Sequence, residues 1–185
     1  YEEKNMSLTR DNSKVQEAIF SSLFPKHPYG TQTVLGTQEN LKNPSITNIK
    51  NYYKQWYVPN NMAICMSGDL DPDATIALID KYFGGLKPNP ELPKLDLPKE
   101  APITQPVVKE VLGPDAESVA LAWRFPGVSD KDFEILQVVS QVLYNGKAGL
   151  IDLDLNQQQK VLNSYGYPMG LADYSASVSY THLRA

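Results

Sequence analysis

Few side chains in this 185-residue chain could take part in hydrolytic or metal chemistry: His27 and His182, the adjacent carboxylates Glu2 and Glu3, the pair Asp69 and Asp71, and a single cysteine, Cys65. A catalytic zinc needs three protein ligands and an open position for water. The two histidines lie far apart and neither belongs to a spaced pair, so the chain contains no H-x-x-E-H or H-E-x-x-H site. It also has no G-x-S-x-G elbow, Walker loop or dinucleotide fingerprint. His27 precedes a proline and reads as a structural or surface residue. Asp69 and Asp71 stand just before a helical pattern, where a carboxylate caps free N–H groups. Cys65 sits inside the apolar run Met62-Ala63-Ile64-Cys65-Met66 and is expected as a packed thiol, and a lone cysteine excludes an internal disulfide. By residue type alone, Glu2 and Glu3 are solvated charges that favour a helix N-terminus.

The elements that must position these groups follow from hydrophobic periodicity. Val15, Ala18, Ile19 and Leu23 repeat at helical spacing, and residues 1–24 are expected to form one long helix that stops at Pro25. Lys26-His27-Pro28-Tyr29-Gly30 reads as a loop. After Pro44, Ser45 is placed to cap a second helix with Ile46, Ile49, Tyr53 and Trp56 on its apolar face. Met62 to Ser67 is almost continuously apolar, as in a strand buried on both faces. A third helix follows, capped by Asp71, started by Pro72, and turning Ile76, Ile79 and Phe83 inward. Six prolines between Pro88 and Pro106 then forbid helix and mark a linker over residues 87–106. Beyond it, Val107–Leu112 and Val119–Phe125 read as strands. Ser129 with Asp132 resembles a capping box before the helix carrying Phe133, Leu136, Val139 and Leu143. A shorter helix over residues 149–159 and strand-like segments near Val161 and Leu171 complete an α+β chain.

Composition narrows the function classes. With 42% hydrophobic residues and a net charge of −4, the chain is suited to a packed core, and its scattered Lys and Arg give no basic stripe for nucleic acid. No apolar run approaches the roughly 18 residues that span a bilayer.

One ordered set of short motifs is more specific than any single residue. It comprises His27-Pro28-Tyr29-Gly30, Gly36-Thr37 with Asn40-Leu41, Tyr52-Tyr53, Tyr57-Val58-Pro59-Asn60-Asn61-Met62, Gly68-Asp69-Leu70-Asp71-Pro72 and Lys81-Tyr82-Phe83-Gly84. The set resembles the pitrilysin/insulinase (M16) zinc metallopeptidase family. Phe125-Pro126, the helix over residues 130–143 and the turn over residues 146–150 resemble that family's following domain. The resemblance implies α/β-roll units, each an antiparallel sheet covered by helices. Residues 1–86 would be the C-terminal part of a first, catalytic-type unit, and residues 107–185 the N-terminal part of the next.

The resemblance also implies peptide hydrolysis by zinc-activated water. The family's H-x-x-E-H segment would precede Tyr1, and a downstream segment like A-E-L-T-M-A-R-T-R-D aligns with Glu2 to Asp11, which makes Glu3 the third zinc ligand and Glu2 its neighbour. The expected partners are peptide substrates and further M16 units of the same chain or of a partner subunit. The fragment alone is expected to be inactive and to bind Zn2+ weakly; the alternative is an inactive M16-like structural or substrate-holding subunit. The pattern from Leu150 through Tyr174 resembles large exported bacterial members and suggests a periplasmic location. Residues 178–185 depart from the family pattern and resemble translated adapter sequence, the other reading being a strand with Val178 and Tyr180 on one face.

Overall fold

The computed structural model describes residues 1–184 and divides the expected first helix into α1, Glu2–Thr9, and α2, Asp11–Leu23. Arg10 is extended between them, with φ −97° and ψ 123°. Asp11 explains the break: its carboxylate accepts from the Asp115 N–H at 2.9 Å and lies 3.3 Å from the Lys14 ammonium, and an acid in a first turn favours a new helix start. After α2 comes α3, Pro28–Thr31, where a loop is expected. Proline is tolerated in a first turn because its missing N–H would have no helical partner there.

These helices belong to a compact unit formed by residues 1–38 and the chain from Leu97 onward. Its sheet holds β1, Ser118–Pro126, β2, Asn163–Gly170, and β3, Tyr174–His182, in the order β1-β3-β2 with both pairings antiparallel. Val178 sits opposite Ala122 on one side and Tyr167 on the other. Successive strand residues face opposite sides of the sheet, so Ala120, Ala122, Ala176 and Val178 share a face with Tyr165, Tyr167 and Tyr180. Leu23 and Phe24 of the α2 end pack there, with Ile19 and Phe20 beside them, and Phe24 is fully buried. Burying a side chain of that size contributes roughly 1.5–3 kcal/mol. The opposite face meets α7, Lys131–Leu143: a Cβ at Gly170 would lie 2.6 Å from the Phe133 ring, so a bare backbone is what admits this helix. The expected class, α+β with an antiparallel sheet covered by helices, is the class found.

Two details in this unit differ from expectation. Asp130, not Ser129, caps α7, its carboxylate accepting the Asp132 N–H at 2.9 Å. Val107–Leu112 is no strand, because no neighbouring strand pairs with it, and Val107, Val108 and Leu112 are exposed. Residues 178–182 lie in the second half of the central strand β3, with Val178 and Tyr180 on one face; Ala185 lies outside the described residues.

The second compact unit, Glu39–Asp96, contains α5, Ile46–Trp56, and α6, Pro72–Phe83, while α4, Gln38–Lys42, begins at its edge. Both predicted caps form: Ser45 Oγ accepts the Asn48 N–H at 3.3 Å and the Asp71 carboxylate accepts the Ala74 N–H at 2.8 Å. A 3-10 turn at Pro59–Asn61 is tied by Asn60, which exchanges two hydrogen bonds with the Asn89 backbone at 2.8 and 2.9 Å. The expected burial does not occur. Ile46, Ile49, Tyr53, Ile76 and Phe83 are exposed, Met62–Ser67 pairs with nothing, and Cys65 is exposed. Residues 39–96 supply no strand among them, so the apolar faces of α5 and α6 have no sheet within the unit to cover them.

The chain between α7 and β2 is organised by Asp152, which opens a π-helical turn, Asp152–Asn156, within the expected 149–159 helix. Its carboxylate oxygen accepts N–H groups from Asn145, Gly146 and Gly149 at 3.0, 2.9 and 3.1 Å. Burial alone would raise this carboxyl; the three N–H donors and Asn156 outweigh it and hold the group below its ordinary value. A depressed carboxyl stabilises the fold above its unfolded pKa, and that contribution disappears as pH falls through the folded one. Asp152→Asn is therefore expected to lower the melting temperature by several degrees at neutral pH. The gap from wild type should close progressively below the ordinary carboxylate range, as thermal melts across pH would read.

Candidate functional site

Glu3, the expected metal ligand, lies in the first turn of α1 and is exposed, as is Glu2. His182 ends β3 opposite Ser118 and Asn163, with its ring 5.8 Å from Tyr180. Among the described residues, no group of three His, Cys, Asp or Glu side chains stands close enough to hold a metal ion. These residues do not make a zinc site on their own.

The polar groups that do converge are centred on His27, which is 1% exposed. It caps α3: Nδ1 accepts the Tyr29 N–H at 3.3 Å, so the ring proton belongs on Nε2. Nε2 makes no hydrogen bond and faces Asp173 Oδ2 at 3.6 Å. That same oxygen accepts the Tyr29 hydroxyl at 3.0 Å, and burial, helped by this hydrogen bond and the Asp173 charge against the opposing Asp173 N–H, raises the Tyr29 phenol above its usual value. Below this turn, the Glu100 carboxylate accepts the N–H groups of Lys26 and His27, both at 2.7 Å. The Glu100 N–H in turn donates to the Tyr174 hydroxyl at 2.8 Å. Arg124 completes the cluster by donating to the carbonyls of Leu23 and Ala101, with Glu100 Oε2 at 3.9 Å and the Tyr174 ring 5.6 Å from its guanidinium carbon.

Each residue of His27-Pro28-Tyr29-Gly30 thus has a packing task. His27 caps, Pro28 starts the turn, and Tyr29 meets Phe24 edge-on at 5.6 Å while bonding Asp173. Gly30 passes over the C-terminal carbonyls of α2, where a Cβ would lie 2.2 Å from Phe24 O and 2.4 Å from Phe20 O. His27 and Asp173 provide two ionisable groups but no nucleophile and no third ligand. The sequence signalled the turn through its proline and glycine; Glu100, Arg124 and Asp173 carry no motif and join it only in the folded chain.

A cavity of about 120 Å³ opens between α2 and the sheet, lined among others by Asn12, Gln16, Tyr165, Tyr167 and Tyr180. Burial raises the phenols of Tyr165 and Tyr167 above their ordinary value. The lining holds no charged side chain, so nothing in it can activate water or polarise a peptide carbonyl. No helix is long and apolar enough to cross a membrane among the described residues.

Residues 45–181 match the family model described as "Peptidase M16 inactive domain". The chain is 27% identical over 162 residues to the zinc protease PqqE of Helicobacter pylori, a match covering 85% of this chain and 36% of that protein. Its fold is similar to a solved protease from Helicobacter pylori, with a TM-score of 0.79 at 24% identity, covering 96% of this chain and 44% of the other. It is also similar in fold to the periplasmic protease PqqL of Escherichia coli, with a TM-score of 0.69 at 17% identity, covering 98% of this chain and 21% of that one. The chain therefore spans less than half the length of the proteins it matches. These findings correct the functional expectation of a metalloendopeptidase. The matched region is the inactive type of M16 domain, and no metal-binding cluster exists among the described residues to set against that match.

Gly30→Ala is expected to destabilise the chain by about 1–3 kcal/mol, the usual cost of forcing an atom into a packed site. Urea denaturation followed by circular dichroism would read this, and an unchanged midpoint would remove the close approach of α3 to α2 as the reason for the glycine.

Proposed function

The chain belongs to the pitrilysin/insulinase-type M16 zinc metallopeptidase family, and on that premise we propose that it serves as a non-catalytic unit of an M16 assembly, structural or substrate-holding. The observation that carries this reading is the match of residues 45–181 to the inactive M16 domain. The chemistry of the folded residues supports it. The buried acids and the buried histidine are consumed as caps and ties, and among the described residues no cluster of ligands is left for metal-activated water.

The partners in this reading are peptides, held without cleavage, and further M16 units supplied by other polypeptide segments. The matched proteins support the latter by carrying much more chain than this one. Residues 87–106 act as the linker between M16 portions at residues 1–86 and 107–185, and first cuts within that span in limited proteolysis would check it. The periplasmic relative supports an exported location, which fractionation of the producing cell would check.

Glu3 enters as one carboxylate donor to a zinc centre whose remaining ligands come from outside the chain. Zinc titration of the chain is expected to give no stoichiometric, high-affinity binding, and incubation with a fluorogenic peptide mixture and zinc no turnover above the blank. Stoichiometric zinc accompanied by chelator-sensitive cleavage would overturn the non-catalytic reading, and retention of that zinc in Glu3→Gln would remove Glu3 from the centre.

A further inference from the structure

Among the described residues, the buried side-chain polar atom left without a hydrogen bond is Nε2 of His27. The rings that enclose it are Tyr29 of α3 at 4.2 Å, Tyr174 of β3 at 5.3 Å and Phe24 at 6.4 Å between centroids. All of them belong to the first unit, so the burial of His27 is complete within this chain. Besides the two phenols, the ionisable groups facing it are Asp173, from the turn between β2 and β3, and Glu100 on its backbone side. The Glu100 oxygen that accepts the His27 N–H also accepts that of Lys26, and its other oxygen lies 3.9 Å from Arg124.

The two ring nitrogens are in opposite states. Nδ1 accepts the Tyr29 N–H, and a backbone N–H can only donate, so Nδ1 is bare and Nε2 carries the proton. A second proton can go only to Nδ1, where it meets the Tyr29 N–H donor against donor. The cap is then lost. A buried charge persists only when it is paired, and the Asp173 carboxylate stands 3.6 Å from Nε2, within ion-pair reach but short of a hydrogen bond. The neutral ring leaves Nε2 unsatisfied, whereas the charged ring satisfies Nε2 at the expense of Nδ1. Proton concentration sets the balance, since histidine ordinarily changes charge between about pH 5 and 8.

We infer that His27 is a proton-operated latch on α3. Neutral, it caps the turn through Nδ1; protonated, it releases the Tyr29 N–H and closes through Nε2 onto Asp173. One proton moves from solvent to Nδ1, and no other bond order changes. The segment set free is the single turn whose remaining N–H groups, those of Gly30, Thr31 and Gln32, bond to the carbonyls of His27 and Pro28.

The test is NMR of the isotope-labelled chain from about pH 8 down to 5, reading the ring nitrogens of His27 together with amide exchange protection. At the upper end Nε2 should be protonated and Nδ1 bare. As the ring takes up its second proton, protection at Tyr29–Gln32 should fall about fivefold or more, the equivalent of a typical lost cap, while the β3 amides keep theirs. The Nε2 proton should move downfield in the same step, as a charge-assisted bond to Asp173 forms. His27→Asn supplies a cap that cannot ionise and should hold α3 equally protected throughout. His182→Gln removes the other histidine and should leave the response intact. A proton on Nδ1 at the upper end overturns the latch, as does a His27 that stays neutral throughout or titrates while Tyr29 protection remains level. So does a response that survives His27→Asn or disappears in His182→Gln, or protection lost from β3 in the same step, which is unfolding of the unit and not release of α3. The ring and amide signals of the unaltered chain decide the question even where His27→Asn does not fold.

Discussion

The guanidinium of Arg124 ties together three parts of the first unit that are distant in sequence. It reaches from β1 to the last carbonyl of α2 at Leu23 and to Ala101, with the Glu100 carboxylate at 3.9 Å. Glu100 in turn holds the N–H groups that open the His27 turn. Both side chains are nearly excluded from solvent, at 9% and 1% exposed. A charge so buried must be paired and hydrogen-bonded, and removing one partner of such a pair typically costs about 3–5 kcal/mol because the other is left stranded. The pair converts the free C-terminus of α2 from an unsatisfied helix end into an anchor, and thereby fixes where Phe24 enters the core.

The same economy governs several other residues whose types suggest chemistry, though not the exposed Glu2, Glu3 and Cys65. His27 caps a one-turn helix, Asp71 caps α6, Asp152 gathers three N–H groups, and Tyr29 with Asp173 pins the α3 turn to the end of the sheet. Each side chain is spent on satisfying backbone or buried polar groups. A hydrolytic site needs the reverse, groups held ready for a substrate with an open coordination position. In this chain the motif His27-Pro28-Tyr29-Gly30, one of the set that resembles an M16 unit, is occupied in packing the α3 turn.

How much of this was legible in the sequence depended on the range of the interaction. Ser45 and Asp71 were readable as caps because a cap bonds an N–H three residues away, and β1 and α7 because alternation and helical spacing are local patterns. The break at Arg10 was not, since it depends on Asp11 meeting Asp115. Glu100 as the receptor for the His27 turn was equally hidden, the partners being 73 positions apart in the chain. The apolar stripes of α5 and α6 were read correctly as stripes and wrongly as buried, because periodicity reports which face is apolar and not whether anything covers it.

The sequence by itself determined the α+β class, the starts of α5 and α6 and, through ordered motifs, the family. All of these are written in residue type and short spacing, where each residue acts on neighbours within a turn or a strand pair. Only the tertiary structure decided that His27 is a buried cap, that Glu100 and Arg124 form the tie, that Met62–Ser67 stands unpaired, and that residues 178–182 lie in the central strand. Burial, buried-pair formation and strand partnership depend on which distant segments the fold brings together, and no local pattern specifies that.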